Sequence, residues 1–214
     1  MKGLNVPFLK ELSYDRSIRS LSASLDGLNK QSLQFTPWAS EFPYKPDVSF
    51  AIAHAGKCIF LKFFVNEKTI RAAAGFINGP VWEDACVEFF ISFDQETYYN
   101  FEFNCIGTRL AAFGKGKNDR THLPEDSIRR IKTGVFIDHN KQNGIDWELT
   151  VAIPLDVFTQ HQLASLAGQE CGANFYKCGD GLPDPHFVSW TNIETATPNF
   201  HVPAFFGKLV FDYE

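Results

Sequence analysis

The sequence has little of what several classes of protein require. No apolar run approaches the length of a transmembrane helix, and the N-terminus lacks the apolar core of a signal peptide. Positive charge is also scarce, with 20 Lys and Arg against 25 Asp and Glu, and the basic cluster RRIK at 129–132 is small. Phosphate binding needs clustered Lys and Arg, so the composition predicts no nucleic-acid partner. The lack of a transmembrane segment predicts no membrane partner, and the lack of a signal peptide predicts a cytoplasmic protein.

Cysteine is sparse, and familiar catalytic motifs are missing. The five Cys residues are odd in number and irregularly spaced, at positions 58, 86, 105, 171 and 178, which favours free thiols over a disulfide framework. Zinc binding by Cys171, Cys178 and His186 lacks a fourth ligand at suitable spacing, so burial of the thiols is the preferred interpretation. The sequence has no GxSxG, P-loop, HExxH or GxGxxG motif.

What the sequence does have is a series of short segments rich in Val, Ile and Phe, separated by turn residues. This pattern predicts one all-β domain over residues 1–214, an antiparallel β-sandwich with nearly all of its regular structure in strands. The alternation in WELTVAIP predicts that Trp147 lies in the core. Helical spacing appears only after Pro154, which predicts one short connector helix, and residues 140–144 predict a hairpin turn.

Segments 87–93 and 99–105 predict an antiparallel hairpin, because the odd-numbered residues of both are apolar or aromatic. Placing these residues on one side requires paired positions of equal parity, so residue 93 lies opposite 99 or opposite 97. The first register pairs Glu88 with Asn104, whereas the second sets Glu88 against Glu102. Like charges directly opposite are destabilising, so we predict the first register.

Glu88, Glu102 and Asn104 then share the outer face of the sheet. One interpretation is a solvated surface without further function. The other is sugar binding, because Trp82 just precedes the first strand and an aromatic ring can pack on the C–H face of a pyranose. Carboxylates and amides beside the ring would bind the sugar hydroxyls.

Five blocks of sequence carry a family resemblance that spans roughly residues 35–211. They are VWEDACVEFF, NFEFNCIG, WELTVAIPL, ANFYKCGD and SWTNIETATPNFHVPAFFGKLVF. Their order resembles the family 9 carbohydrate-binding modules, specifically free-standing bacterial proteins of this type. The resemblance implies a jelly-roll or immunoglobulin-like sandwich of the DOMON-like superfamily that binds a mono- or oligosaccharide without catalysis.

In sugar-binding members of that family, two Trp rings clamp a terminal sugar. The resemblance assigns Trp82 and Trp190 to the clamp, with Glu88 as the acid beside the first ring and Asn104 as the strand amide. Glu102 stands where binders usually have a basic residue, which departs from the family pattern. Two further residues are candidates for the missing cation: Arg109 and Lys177.

The resemblance also implies structural calcium, for which the turn at 178–185 offers Asp180 and Asp184 as oxygen ligands. Asp residues in turns also cap their own backbone, which is the competing interpretation. Two alternatives to sugar binding remain open. The first is a structural or interaction domain without sugar affinity, and the second is an inverting glycosidase that uses Glu88 and Glu102. A flat outer sheet face would provide little of the desolvation that a catalytic acid needs.

Overall fold

Two β-sheets pack face to face in the structure, a computed structural model that describes residues 2–140 and 144–213. The first seven strands are β1 (Gly3–Val6), β2 (Gln31–Ser32), β3 (Asp47–His54), β4 (Cys58–Glu67), β5 (Cys86–Ser92), β6 (Tyr98–Asn104) and β7 (Arg109–Gly116). The remaining strands are β8 (Asp119–His122), β9 (Lys132–Asn140), β10 (Gly144–Pro154), β11 (Glu170–Cys178), β12 (Phe187–Ser189) and β13 (Gly207–Phe211). The predicted β-sandwich is thereby confirmed.

The larger sheet has the strand order β1-β13-β11-β5-β6-β7-β8, with β12 also paired to β11, and the smaller sheet has the order β2-β3-β4-β10-β9. These strands pair antiparallel, apart from β1 and β13, which run parallel. β9 and β10 flank the predicted turn at 140–144 and pair antiparallel. Residues 141–143 of that turn lie outside the described residues.

Helical structure is present, but not where the sequence predicted it. The segment after Pro154 forms only a 3-10 turn, Leu155–Val157, so the predicted connector helix is wrong. The longest helix is α1 (Ile18–Asp26), which buries Leu21 and Leu25 over the smaller sheet, and a short α2 (Glu125–Arg129) follows β8. The expectation of almost exclusive strand was therefore too strong. No helix in the described part of the chain is long and apolar enough to cross a membrane.

The main core lies between the two sheets. Trp147, Leu149, Val151 and Ile153 alternate along β10 and are fully buried there, which confirms the prediction for Trp147. Burial of one side chain of Leu or Phe size is worth about 1.5–3 kcal/mol, so this alternation fixes which face of β10 turns inward.

A second apolar layer covers the outer face of the larger sheet. Phe90, Tyr98 and Tyr176 on this face pack with Trp38 and Phe200 from distant segments. The even-numbered polar residues of β5 and β6 are consequently buried. A solvated surface was one of the two interpretations of this face, and it is wrong because segments far away in sequence cover the face.

The hairpin of β5 and β6 has the expected parity but not the predicted register. Glu88 lies opposite Glu102, and Cys86 lies opposite Asn104. The connecting turn accounts for this register: the backbone N–H groups of Glu96 and Thr97 donate to Asp94 Oδ1 at 2.9 and 2.8 Å. This local hydrogen bonding sets a tight reversal, and the opposed acids are accommodated by their surroundings.

Candidate functional site

A pocket of about 190 Å³ opens into the covered outer face of the larger sheet. Strand residues Glu88, Glu102 and Cys178 line it, together with the rings of Trp82 and Phe200. The remaining polar lining is supplied by Lys117, Arg120, Asp180, Asn199 and His201. The structure therefore brings together three of the predicted site residues: Trp82, Glu88 and Glu102.

Trp82 is the exposed ring of this pocket. It lies in the 3-10 turn Val81–Glu83 and keeps 36% of its surface accessible. Its backbone carbonyl accepts from Asp180 N at 3.1 Å, and Glu83 O accepts from Gly181 N at 3.0 Å. Two bonds thus tie this turn to the segment after β11, so Trp82 is held at the pocket wall by its backbone.

Glu88 and Glu102 lie side by side on strands and are 3% and 2% exposed. Burial raises the pKa of Glu88, and the neighbouring charge of Glu102 raises it further. Burial also raises the pKa of Glu102 to about 7, although Arg120 opposes the effect. Asp180 at the pocket has its pKa raised by burial to about 6. The pocket can therefore hold protons on its acids near neutral pH.

Arg120 on β8 is one of two basic side chains that line the pocket, and it is the one paired with Glu102. Its Nη1 atom is 3.8 Å from Glu102 Oε1 and lies within 2.8 Å of His201 Nδ1, which also contacts Tyr98 Oη at 2.9 Å. Burial and the charge of Arg120 lower the pKa of His201 to about 3, so the imidazole stays neutral and accepts hydrogen bonds. Sequence reasoning missed Arg120 because it lies beside KGKND, which carries turn signals without an apolar alternation.

Asn104 lies on β6 near the pocket, and its side chain forms hydrogen bonds to neighbouring loops. Its Nδ2 atom donates to Ala74 O and Asp84 Oδ2, both at 2.9 Å, and its Oδ1 accepts from Thr108 N at 2.9 Å. Asp84 also accepts from Ala74 N. The side chain of Asn104 is thus engaged in holding loops, and it is not among the residues that line the pocket.

Trp190 does not face Trp82. It is fully buried between the sheets, with its ring edge-on to Phe175 and Phe50 at centroid distances of 5.6 and 6.1 Å. The predicted slot between two Trp rings is therefore wrong. Phe187 and Phe200 are the rings that share the pocket with Trp82.

Lys177 and Arg109 also lie away from the pocket. Both are odd-numbered on their strands, whereas the pocket side of β11 carries Tyr176 and Cys178. Lys177 Nζ is buried between the sheets, 2.9 Å from Glu67 Oε2 and 2.7 Å from His186 Nε2. Arg109 Nη1 donates to Thr133 Oγ1 at 3.0 Å. Neither residue is the replacement cation that the sequence suggested.

Asp180 and Asp184, the two acids of the turn proposed to bind calcium, have different surroundings. Asp180 lines the pocket, while Asp184 forms an ion pair of 3.2 Å with Lys68. Calcium binding in this turn stays a prediction.

A wider groove of about 980 Å³ lies near Leu155 on another surface, but its Asp156 and Arg130 pair with each other at 2.6 Å. The smaller pocket, with its buried acids, is the stronger candidate site.

Comparison with known proteins identifies the family. The model of carbohydrate-binding family 9 matches residues 21–211. A candidate carbohydrate-binding protein from Bacteroides uniformis is 39% identical, with a TM-score of 0.90 and 99% of each chain covered. No curated protein matches the chain.

Two solved complexes of a family 9 carbohydrate-binding module from Caldicellulosiruptor kristjanssonii share the fold. The glucose complex is 11% identical, with a TM-score of 0.66, and the match covers 100% of this chain and 97% of that one. The cellotriose complex is 12% identical, with a TM-score of 0.63, and the match covers 100% and 95%. The chain therefore belongs to carbohydrate-binding family 9.

Proposed function

We propose that this protein binds the end of a saccharide in the pocket beside Trp82, without catalysing a reaction. The observation that carries the proposal is an exposed aromatic ring, Trp82, beside the buried acids Glu88 and Glu102 and the cation Arg120. One sugar unit would pack its C–H face on the ring and direct its hydroxyls to the polar side chains. The family 9 complexes with glucose and cellotriose support this class of ligand.

The size of the pocket favours a single sugar unit. Its volume of about 190 Å³ is below the roughly 300–1,000 Å³ that is usual for pockets of drug-sized ligands. An oligosaccharide would therefore insert its terminal unit and leave the rest of the chain in solvent. We expect monosaccharides and chain ends to bind, and internal units of a polymer to bind poorly.

The polar groups suit hydroxyls, which both donate and accept hydrogen bonds. Arg120 donates only, while a carboxyl group that retains its proton both donates and accepts. Burial raises the pKa of Glu102 to about 7, so both of its protonation states are accessible near neutral pH. This combination replaces the binding chemistry of the basic residue that family members usually carry at the position of Glu102.

Isothermal titration calorimetry with glucose and cellotriose tests the proposal. Stacking of a nucleobase on an aromatic ring is worth about 1–3 kcal/mol, and a sugar should lie near the lower end. Trp82→Ala should therefore weaken binding about tenfold, since 1.4 kcal/mol is a factor of ten. Phe136→Ala is the matched control, because Phe136 is an exposed ring on β9 of the other sheet.

Affinity that is unchanged in Trp82→Ala, or reduced equally in Phe136→Ala, would contradict the proposed site. If neither sugar binds the wild type at millimolar concentration, a wider glycan screen follows. Absence of binding across that screen favours an interaction domain without sugar affinity. Trp190→Ala is unsuitable as a test, because removing this buried ring would cost about 3–5 kcal/mol of stability.

Glycoside hydrolysis is a second candidate, favoured by the buried, directly opposed pair Glu88 and Glu102. Burial gives Glu102 a pKa of about 7, in the range of a catalytic acid. Chromogenic aryl glycosides of the common hexoses test this reaction. Turnover that disappears in both Glu88→Gln and Glu102→Gln would establish hydrolysis, whereas binding without turnover supports the non-catalytic function.

A further inference from the structure

Three buried side chains at the floor of the pocket form a cluster, of which the proposed sugar binding uses only the acid and leaves two cysteines unexplained. They are Cys86, Glu88 and Cys178, whose sulfur and carboxylate oxygen atoms all lie within 4.8 Å of one another. Cys178 Sγ contacts Glu88 Oε1 at 3.1 Å. Among the described residues, this is the one group of three His, Cys, Asp or Glu side chains close enough to share a metal ion.

The sheet itself assembles this cluster. β5 and β11 pair antiparallel with Cys86 directly opposite Cys178. Glu88 is two residues further along β5, and side chains two residues apart lie on the same face of a strand. All three therefore project from the centre of the larger sheet beneath its covering layer. Sites on strands hold their geometry more precisely than sites on loops.

We propose that Cys86, Cys178 and Glu88 bind one zinc ion through two sulfurs and one carboxylate oxygen. Zinc favours thiolate ligands at about 2.3 Å and carboxylate oxygen at about 2.0–2.2 Å in a tetrahedron, which places neighbouring ligand atoms about 3.5–3.8 Å apart. Pairs of ligand atoms as far apart as 4.8 Å would approach by about 1.0–1.3 Å, and Cys178 Sγ and Glu88 Oε1, which are 3.1 Å apart, would separate by about 0.4 Å. Coordination releases the thiol protons of both cysteines to solvent.

The pocket supplies both the entry path and the fourth ligand. Glu88 and Cys178 line the pocket, whereas Cys86 lies fully buried beneath them. An ion arriving through the pocket reaches Glu88 and Cys178 first and leaves one coordination position facing the opening, where water binds. Glu102 and Asp180 add two acids to the same pocket, and Lys117 and Arg120 add two basic side chains, so the thiolates and the Glu88 carboxylate supply the attraction for the ion.

Cobalt titration of the full-length, reduced, metal-free protein tests the proposal. Tetrahedral Co²⁺ with thiolate ligands gives visible ligand-field bands and a sulfur charge-transfer band. We expect one equivalent of Co²⁺ per chain, displaced by Zn²⁺. Cys86→Ser and Cys178→Ser should each lower metal affinity by more than about 100-fold, since even indirect changes around a metal site cost about 10–100-fold.

Cys171→Ser is the matched control, because Cys171 is a buried thiol on the same strand β11 but is outside the cluster. It should bind Co²⁺ as the wild type does. A second measurement guards against poorly folded variants: Zn²⁺ should raise the melting temperature of the wild type and of Cys171→Ser, because a ligand that binds the native state stabilises it. The melting temperature of Cys86→Ser should not respond.

The proposal is overturned if the wild type shows no cobalt–thiolate bands at millimolar Co²⁺, or if Cys171→Ser loses the metal equally. It is also overturned if the chain, purified without reductant, carries a Cys86–Cys178 disulfide that remains when Zn²⁺ is supplied during folding. These outcomes are independent of sugar binding, because the probe is the metal alone.

Discussion

Replacing Glu102 with glutamine should stabilise the protein, and the stabilisation should grow as the pH rises. Glu102 is buried directly opposite Glu88, and burial raises its pKa from 4.5 to about 7. Below pH 4.5 the carboxyl is protonated in both the folded and the unfolded chain, so its ionisation does not lower the free energy of unfolding. Between pH 4.5 and 7 the unfolded chain releases this proton while the folded chain retains it, so the stability of the wild type falls.

The expected size follows from the two pKa values. At about 1.4 kcal/mol per pH unit, a rise from 4.5 to about 7 corresponds to about 3 kcal/mol of lost stability above pH 7. A glutamine side chain has nearly the same shape as glutamate and carries no charge, so Glu102→Gln avoids this loss. For a chain of this length, 1 kcal/mol shifts the melting temperature by about 2–4 °C. The variant should therefore melt about 6–12 °C above the wild type at pH 8.

Guanidinium unfolding of the wild type and Glu102→Gln from pH 4 to pH 8 measures this difference. Glu125→Gln is the control, since Glu125 is an exposed acid paired with Arg129 on α2, and its effect should stay within about 0.5 kcal/mol. A difference that does not change with pH would refute the burial argument. A variant less stable than the wild type at pH 8 would show that Arg120 more than offsets the cost of burying the Glu102 charge.

Three further substitutions test buried polar groups, two beside the pocket and one between the sheets. Asn104→Ala should lower the free energy of unfolding by about 2–4 kcal/mol, because several buried backbone groups lose their hydrogen bonds. Its sugar affinity in calorimetry should stay unchanged, and lost affinity with intact stability would contradict this. For Asp84, burial raises the pKa but hydrogen bonds from backbone N–H groups and Asn104 outweigh it and lower the pKa. Asp84→Asn should therefore be destabilising at pH 7, with the gap closing as the pH falls below about 4 in urea unfolding; a gap that is constant with pH would count against it. Lys177→Met should lower the free energy of unfolding by about 3–5 kcal/mol, because it leaves Glu67 buried without its cation. The double variant Lys177→Met/Glu67→Gln should recover most of this stability in thermal melts, and no recovery would refute the pairing argument.

Local alternation was sufficient to predict β5, β6 and β10 and their inward faces. The side-chain period of a strand is two, so the apolar residues of β5, β6 and β10 identify the core side whatever their partners. The parity of the hairpin followed for the same reason. Its offset did not follow, because the turn around Asp94 and the burial of both acids determine it, and neither effect is visible in the alternation.

The candidate site was predictable only in part. Trp82, Glu88 and Glu102 lie in two neighbouring sequence blocks, and their joint position follows from one hairpin and the turn before it. Arg120 and the ring of Phe200 come from segments whose approach depends on how loops cross the outer face of the sheet. Trp190 was misassigned because a buried ring and a ligand-binding ring have the same sequence signal.

The parallel pairing of β1 with β13 has a consequence for how the chain is made. Gly3 pairs with Lys208, and β13 lies between β1 and β11, so β1 has no partner in the sheet until β13, the described strand furthest from it in sequence, is in place. Contacts between residues so distant in sequence are slow to form. On the ribosome, the larger sheet therefore stays open at this edge until β13 has been synthesised. Until residues 207–211 join the sheet, residues 170–173 of β11 have no partner on this side, and neighbouring molecules can pair with this exposed edge.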